Sequence, residues 1–218
     1  MDAQLRAQLA AIAGPRGVNA RLDSVSPRST AEVAAVCRAC AGLGTPISAV
    51  SGAVTDPAPG GRAISVSLGR LDHVRVDPGA MVARAGAGAT IVTLRVAVDR
   101  ARMALVGIPG GPAAVHAGSL VARGQVPRRA LTGIEAVLPD GEVVHAGGAV
   151  LKDVTGYDLA GALLGSMGRL ALITEVVFRL EPAHARSAAP DPPAGAEDTV
   201  SELLRHAFDP DGLLVAAR

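Results

Sequence analysis

Between Val150 and Leu180 the chain reads VLKDVTGYDLAGALLGSMGRLALITEVVFRL, and no other stretch restricts the fold as much. Gly165, Ser166 and Gly168 separate two apolar runs. A turn built on glycine lets main-chain N–H groups approach a ligand, because no Cβ stands in the way. The run Ala171–Leu180 after it reads as a strand, with Val176, Phe178 and Leu180 on one face and Glu175, Val177 and Arg179 on the other. Before the turn a short helix is expected, with Asp158 as its cap. Loop, short helix, glycine turn and strand follow one another without a break.

The chain has 218 residues, enough for one large domain or two small lobes. It is 49% hydrophobic but only 1% aromatic, with no Trp, so Val, Leu, Ile and Ala must fill the core. Against 21 basic residues stand 20 acidic ones. That balance gives no field for nucleic acid or an anionic membrane, and the dearth of aromatics removes a base-stacking platform. No apolar run reaches the roughly eighteen residues of a bilayer span, and the charges within MDAQLRAQLAAIAG do not suit a signal peptide. A cytoplasmic protein is expected, and the Ala, Gly, Arg and Pro bias suits a GC-rich bacterial genome. Cys37 and Cys40 form a C-x-x-C spacing. They share an apolar helical stripe with Val33 and Val36, where cysteine acts as a small hydrophobe.

Leu5, Leu9 and Ile12 lie on one helical face that Gly14-Pro15 ends, giving a short docking helix. Val18–Val25 is a weak strand or linker. Ser29 with Glu32 forms a capping box for a helix running to about Ala41. Ile47–Val50 is a strand, and Ile64, Val66 and Leu68 alternate with Ser65 and Ser67 as a half-buried one. Strands over His73–Val76 and Met81–Ala85 lead to Gly86-Ala87-Gly88 and a helix through Leu94, Val98 and Ala101. The third glycine of a dinucleotide fingerprint is missing there, and no acidic residue ends a strand about twenty residues on, so a nicotinamide site is not expected. Gly133–Leu138 and Glu142–His145 form a hairpin around Pro139-Asp140-Gly141. His116 and His145 read as turn or surface residues, since neither has a carboxylate, Ser or Cys partner at a telling spacing. Gly165-Ser166-Met167-Gly168 is not a nucleophile elbow. A Pro/Ala linker and the short helix of SELLRHAFDPDGLL end the chain.

Lys152, Gly156, Tyr157, Asp158, Leu159, Leu164, Gly165, Ser166, Gly168, Leu170, Ile173, Thr174 and Glu175 fall in the order of a known signature. It is that of FAD-linked oxidases of the PCMH type, and the chain most resembles the small FAD-binding subunit of bacterial glycolate oxidase. Pro127-Arg128-Arg129, and Ala207-Phe208-Asp209-Pro210 with Gly212, resemble further segments of that family. The resemblance covers Ser26–Pro182 and Leu203–Leu214, with a linker where the family carries its substrate (cap) domain. It implies an α+β, two-lobed PCMH-type FAD-binding fold: a small α/β lobe, and a larger, mostly antiparallel sheet with flanking helices. The expected divisions are an N-terminal docking helix and linker over 1–26, lobes over 27–77 and 78–182, a linker over 183–198 and a helical segment over 199–218.

The resemblance also implies extended, non-covalent FAD between the lobes. Ser51, Gly52, Ala53 and Thr55 would meet the pyrophosphate, and Gly118, Ser119 and Ala122 would sit nearer the ring. Lys152, Tyr157, Gly165, Ser166 and Ile173 would close the wall, with Tyr157 equally readable as an anchored aromatic. The first loop departs from the family. An Arg-Gly-Gly-Gly-Thr-Ser nest is here Val50-Ser51-Gly52-Ala53-Val54-Thr55, which keeps only Gly52. Arg123, Arg128 and Arg129 add charge near the phosphates or form a solvated edge. No residue presents itself as a general base. The expected function is the FAD-binding subunit of a 2-hydroxy-acid oxidoreductase, working with a larger flavoprotein subunit and an iron–sulfur subunit. The alternative is a cofactor-free assembly subunit, which closure of the groove by Val54 or Arg123 would favour.

Overall fold

The structure is a computed structural model that describes residues 2–21, 23–52, 63–108, 115–148, 158–185 and 204–215. Its elements in chain order begin with α1 (Ala3–Ala13), β1 (Val18–Asn19), β2 (Ser24–Val25), α2 (Thr30–Ala41), β3 (Ile47–Val50) and β4 (Ile64–Ser67). There follow β5 (Val74–Asp77), β6 (Val82–Gly86), α3 (Ile91–Arg100), β7 (Met103–Leu105), α4 (Ala117–Ala122), β8 (Leu131–Val137) and β9 (Val143–Gly147). The series ends with α5 (Leu159–Leu163), β10 (Leu172–Pro182) and β11 (Leu214–Val215).

The first sheet has the order β1-β2-β4-β3-β11. Its β1–β2 pair is antiparallel, while β2–β4, β4–β3 and β3–β11 are parallel. Inner parallel strands are buried on both faces. That is why β4 is buried at every position, serines included, where alternation led us to expect a half-buried strand. The capping box at α2 forms in altered shape. Ser29 Oγ accepts from the Glu32 N–H, but the Glu32 carboxylate takes the N–H of Arg28.

The second sheet is antiparallel throughout and is organised on β10, the last part of the signature stretch. β8 lies along one side of β10; β6 and then β7 share the other, with β5 beyond β6 and β9 beyond β8. Its apolar face packs on α3, α4 and α5 around Phe178, Leu163, Leu94 and Val176. A second core joins α1, α2 and the first sheet, and takes in Ala87, Val137 and Leu172 from the second lobe.

Three expected divisions move. Helix α1 is not an appendage, because Leu5, Leu9 and Ala13 are buried in the first lobe's core. The division at 77/78 cuts a hairpin, since β5 pairs with β6 in the second sheet. The C-terminal segment is part of the first lobe: Leu214 pairs with Ile47, and the buried Asp209 carboxylate accepts from the Leu213 and Leu214 N–H groups, both at 2.8 Å.

Candidate functional site in the cleft between the lobes

The ends of β3 and β4 face α4 and the Gly165–Gly168 turn across a cleft. Ala49, Ser51 and Leu68 line it from the first lobe. Gly118, Ser119, Ala122 and Arg123 line it from α4 and its end, and Met167, Gly168, Ala171 and Ile173 from the signature stretch. The structure thus brings together Ser51, Gly118, Ser119, Ala122 and Ile173 of the expected residues. Gly52 is next to Ser51, and Gly165 and Ser166 shape the turn. Ala53, Thr55, Lys152 and Tyr157 lie outside the described residues, as does Val54.

Glycine makes the junction behind this cleft. A Cβ on Gly88 would stand 2.3 Å from the Leu68 carbonyl oxygen, and one on Gly118 would stand 2.8 Å from Ala87 Cβ. A Cβ on Gly69 would reach the Gly52 backbone at 3.3 Å, and one on Gly52 would meet the His116 ring at 2.7 Å. His116, expected as a turn residue, is the N-cap of α4 and forms a bridge to Thr90. Sequence reading missed its contact with Gly52, because 64 positions part them along the chain and no spacing signals the contact. Burial pushes the His116 imidazole below its ordinary value of 6.5.

Three amides of the turn are engaged rather than bare. The Gly165 N–H donates to Val121 C=O at 2.9 Å, the Ser166 N–H to Leu163 C=O at 3.2 Å, and the Met167 N–H to Ala122 C=O at 2.8 Å. The Gly118 N–H donates to Ala87 C=O at 3.0 Å. These bonds fasten the turn onto α4 and α4 onto β6. The left-handed φ values of Gly165 and Gly168 (79° and 71°) show why glycine is needed there, while Met167 holds φ 55° with a side chain.

Hydroxyl groups are among the donors left for a ligand. Ser166 Oγ is buried without a hydrogen-bond partner. The half-buried Ser51 and Ser119 hydroxyls make no hydrogen bond among the described residues. A polar group in that condition is costly unless something else satisfies it. Ile173, Ala171 and Ala122 give the same cleft an apolar lining. Ile173 owes its place to a bulge in β10 at Thr174, whose hydroxyl bonds to Glu135 Oε1 at 2.9 Å and whose C=O accepts from the Ala87 N–H. A bulge re-aims neighbouring side chains. Thr30 Oγ1 also donates to Glu135 Oε1, at 2.6 Å, so that carboxylate links α2 of the first lobe to the bulge.

The cleft is narrow, with about 20 Å³ of space, room for little more than one water. Arg123 and Met167 are its long side chains. The residue types suit a polar, partly apolar ligand, and a flat ring system needs those two side chains displaced. Arg123 is the charged residue of the lining and pairs with no carboxylate among the described residues. Arg128 does not reach for phosphate: its guanidinium is bidentate to Asp158, at 2.6–2.9 Å, and also bonds Leu131 C=O. That contact, ahead of the Gly161 N–H, holds the Asp158 carboxyl below its ordinary range, and Asp158 caps α5 as expected. Burial alone would raise Glu175, but hydrogen bonds from His73 and Arg84 outweigh it and keep the carboxyl low. Burial pushes both thiols, Cys37 and Cys40, up to about 12, as fits packing cysteines. No cluster that could hold a metal ion occurs among the described residues.

Two lobes of this make, meeting at such a cleft, define the PCMH-type FAD-binding fold. The fold matches that of 4-ethylphenol oxidase from Gulosibacter chungangensis with a TM-score of 0.68, at 19% identity, over 83% of this chain and 42% of that one. Residues 24–147 match the family model described as FAD binding domain, and the chain belongs to that family. An uncharacterised FAD-linked oxidoreductase of Mycobacterium tuberculosis is 33% identical over 174 residues, 73% of this chain and 37% of that protein. D-lactate dehydrogenase of Archaeoglobus fulgidus is 31% identical over 169 residues, 72% of this chain and 38% of its own. Glycolate oxidase subunit GlcE of Escherichia coli is 27% identical over 147 residues, 63% of this chain and 42% of its own. The chain therefore spans about two fifths of the length of these relatives. No helix among the described residues is long and apolar enough to cross a membrane.

Proposed function

We propose that this chain is the FAD-binding subunit of a cytoplasmic oxidoreductase acting on 2-hydroxy acids such as glycolate or lactate, and that it holds FAD non-covalently between its lobes. The observation that carries the reading is that the Ser51 and Ser119 hydroxyls, which line the cleft with Ala122, Ala171 and Ile173, and the buried Ser166 hydroxyl of the adjoining turn have no hydrogen-bond partner among the described residues, in a chain of this family. Bound FAD supplies the acceptor for hydride, which protein side chains lack. The chain's own part is to bind and orient. The three hydroxyls donate to polar edges of the cofactor, and Ala122, Ala171 and Ile173 keep water from its apolar face. Gly52 and Gly118 let the two lobes close behind it, and Arg123 swings to meet negative charge. Gly165 acts by shaping the turn, since its N–H is engaged. Ala53, Thr55, Lys152 and Tyr157 complete the proposed ligand set.

The relatives named for 2-hydroxy-acid oxidation support the substrate class, and likeness to a glycolate oxidase subunit supports partners. We assign these, as the resemblance implies, as a larger flavoprotein subunit and an iron–sulfur subunit, and among the described residues no side chain of the cleft is placed to take a substrate proton. The test is purification followed by an absorption spectrum, then acid precipitation. Yellow protein whose flavin passes into the supernatant is the expected result, and flavin retained in the pellet would overturn the non-covalent part. Protein that stays colourless and takes up no FAD on equilibrium dialysis would reject the reading. It would favour a cofactor-free assembly subunit, the reading for which the engaged amides of Gly118 and Gly165 and the narrow cleft speak.

A further inference from the structure

The first sheet has two unlike faces. One carries Val25, Ile47, Ile64 and Val66 into the core with α1 and α2. The other carries serine. Ser24, Ser65 and Ser48 stand side by side in register across β2, β4 and β3. Ser67 falls on the same face by alternation.

Where β2 and β4 end, a groove of about 430 Å³ opens. Ser24, Ser26 and Ser67 line it, with Asn19 from the end of β1. Arg16 enters from the segment before β1, and Arg70 from the segment after β4. No carboxylate lines it among the described residues. Neither arginine is ion-paired within the described residues, and Arg70 Nη1 makes only a long contact of 3.4 Å with Ser26 C=O. The Ser24 and Ser26 hydroxyls also make no hydrogen bond there, although Ser24 is only 4% exposed. Ser67 Oγ, by contrast, is fixed on Gly52 C=O at 2.7 Å. The tight backbone approach of Gly69 to Gly52 stands between this groove and the inter-lobe cleft.

We propose that the groove is an anion site that takes a phosphate group, either as free phosphate or pyrophosphate or as the phosphate of a nucleotide. Guanidinium forks match tetrahedral oxyanions in shape as well as charge, and serine hydroxyls complete the donor set. The place suits this use, because ligands of parallel sheets gather beyond the carboxyl ends of the strands. The protein's overall charge of +1 supplies no general attraction for anions. Binding here is therefore a property of this groove.

The test is calorimetric titration of the full chain at low ionic strength, since exposed charges are screened by salt. Inorganic phosphate, pyrophosphate and ADP are titrated in turn. The expected result is one equivalent of pyrophosphate bound, weakened about tenfold by Arg16→Ala and again by Arg70→Ala. Arg75→Ala, an exposed arginine on β5, should leave it unchanged. Tighter binding of ADP marks a nucleotide as the source of the phosphate, and equal binding marks the free anion. The proposal fails if wild-type protein binds none of the three, or if Arg75→Ala weakens binding as much as the groove variants do. Should an alanine variant lose its folded melting transition, Arg16→Lys with Arg70→Lys keeps charge and removes the forks. An unchanged affinity in that variant overturns the fork-based site.

Discussion

The second lobe is built from neighbours and the first from strangers. In the second sheet the hairpins β5–β6 and β8–β9 form locally, and β10 then enters between them. In the first sheet, β3 lies between β4 and β11, and β11 comes from the far end of the chain. Local antiparallel pairing costs little loop closure, whereas distant parallel pairing must be repaid by burial. The difference shows in what holds each lobe. The second rests on one long central strand with large apolar side chains, the first on short strands, two helices and a carboxylate clamp.

The strongest probe of that difference is Phe178→Ala. Phe178 is fully buried on β10 among α3, α4 and α5, and removing such a ring costs about 4 kcal/mol. The lobes share a core through Ala87, Val137 and Leu172, so urea unfolding should remain one transition at a lower midpoint. Two separate transitions would show that the lobes fold independently. Next in size is Gly88→Ala, which drives a Cβ to within 2.3 Å of the Leu68 carbonyl at the junction. Backbone cannot yield there as a flexible side chain would, and a loss of about 3 kcal/mol is expected. Gly44→Ala is the control, because a Cβ there meets nothing and only its φ of 58° is unfavourable. Equal losses in the two variants would mean that the junction gives way easily.

The same contrast decides how much could be read in the sequence. The hairpin around Asp140-Gly141, the strand through Phe178 and the capping of α5 by Asp158 are all short-range, and pattern alone places them. The family signature lies in the second lobe, so the fold class followed from it and is matched by the solved structures. What pattern could not supply was pairing at a distance. The tail motif around Asp209 reads as a helix and stop, yet its meaning is the clamp that adds β11 to β3. The cleft residues Ser51, Gly118, Ser119, Ala122 and Ile173 were legible only through resemblance. Met167 was missed as a lining residue, and the engagement of the Gly165 and Gly118 amides could not be seen, because hydrogen-bond partners across α4 leave no trace in spacing.

Asp209→Ala tests the clamp and ranks third. It frees two buried N–H groups that now meet the carboxylate at 2.8 Å. Hydrogen bonds to a charged acceptor, and the cost of leaving their donors unmet, put the loss at about 2 kcal/mol. Hydrogen exchange should quicken at β3, which would become an edge strand, and stay slow in β8 and β10. Unchanged protection at Ile47 and Ser48 would show that β11 adds nothing to the first lobe.

The smallest effect is a pH dependence at the junction. Burial lowers the His116 pKa below 6.5, so the unfolded chain takes up a proton at a pH where the folded one resists it. Between the two values the unfolded state binds more protons, and stability therefore rises with pH. The contribution is complete above about pH 6.5, the unfolded value, and is lost as the pH falls through the lower folded value. Asp158 and Glu175 are both held low, so their stabilising contributions are lost only further down, from about pH 4. They leave the histidine window clear. His116→Gln keeps a polar side chain and removes the titration. The melting temperature of the wild-type protein relative to this variant should fall between about pH 8 and about pH 5. The ring packs on Gly52 of the first lobe, so the protection of the Ser51 amide, relative to the intrinsic exchange rate at each pH, should fall over the same range. A constant difference between the two proteins would place the His116 ring in water and leave Gly88 and Gly118 as the true fastening between the two halves.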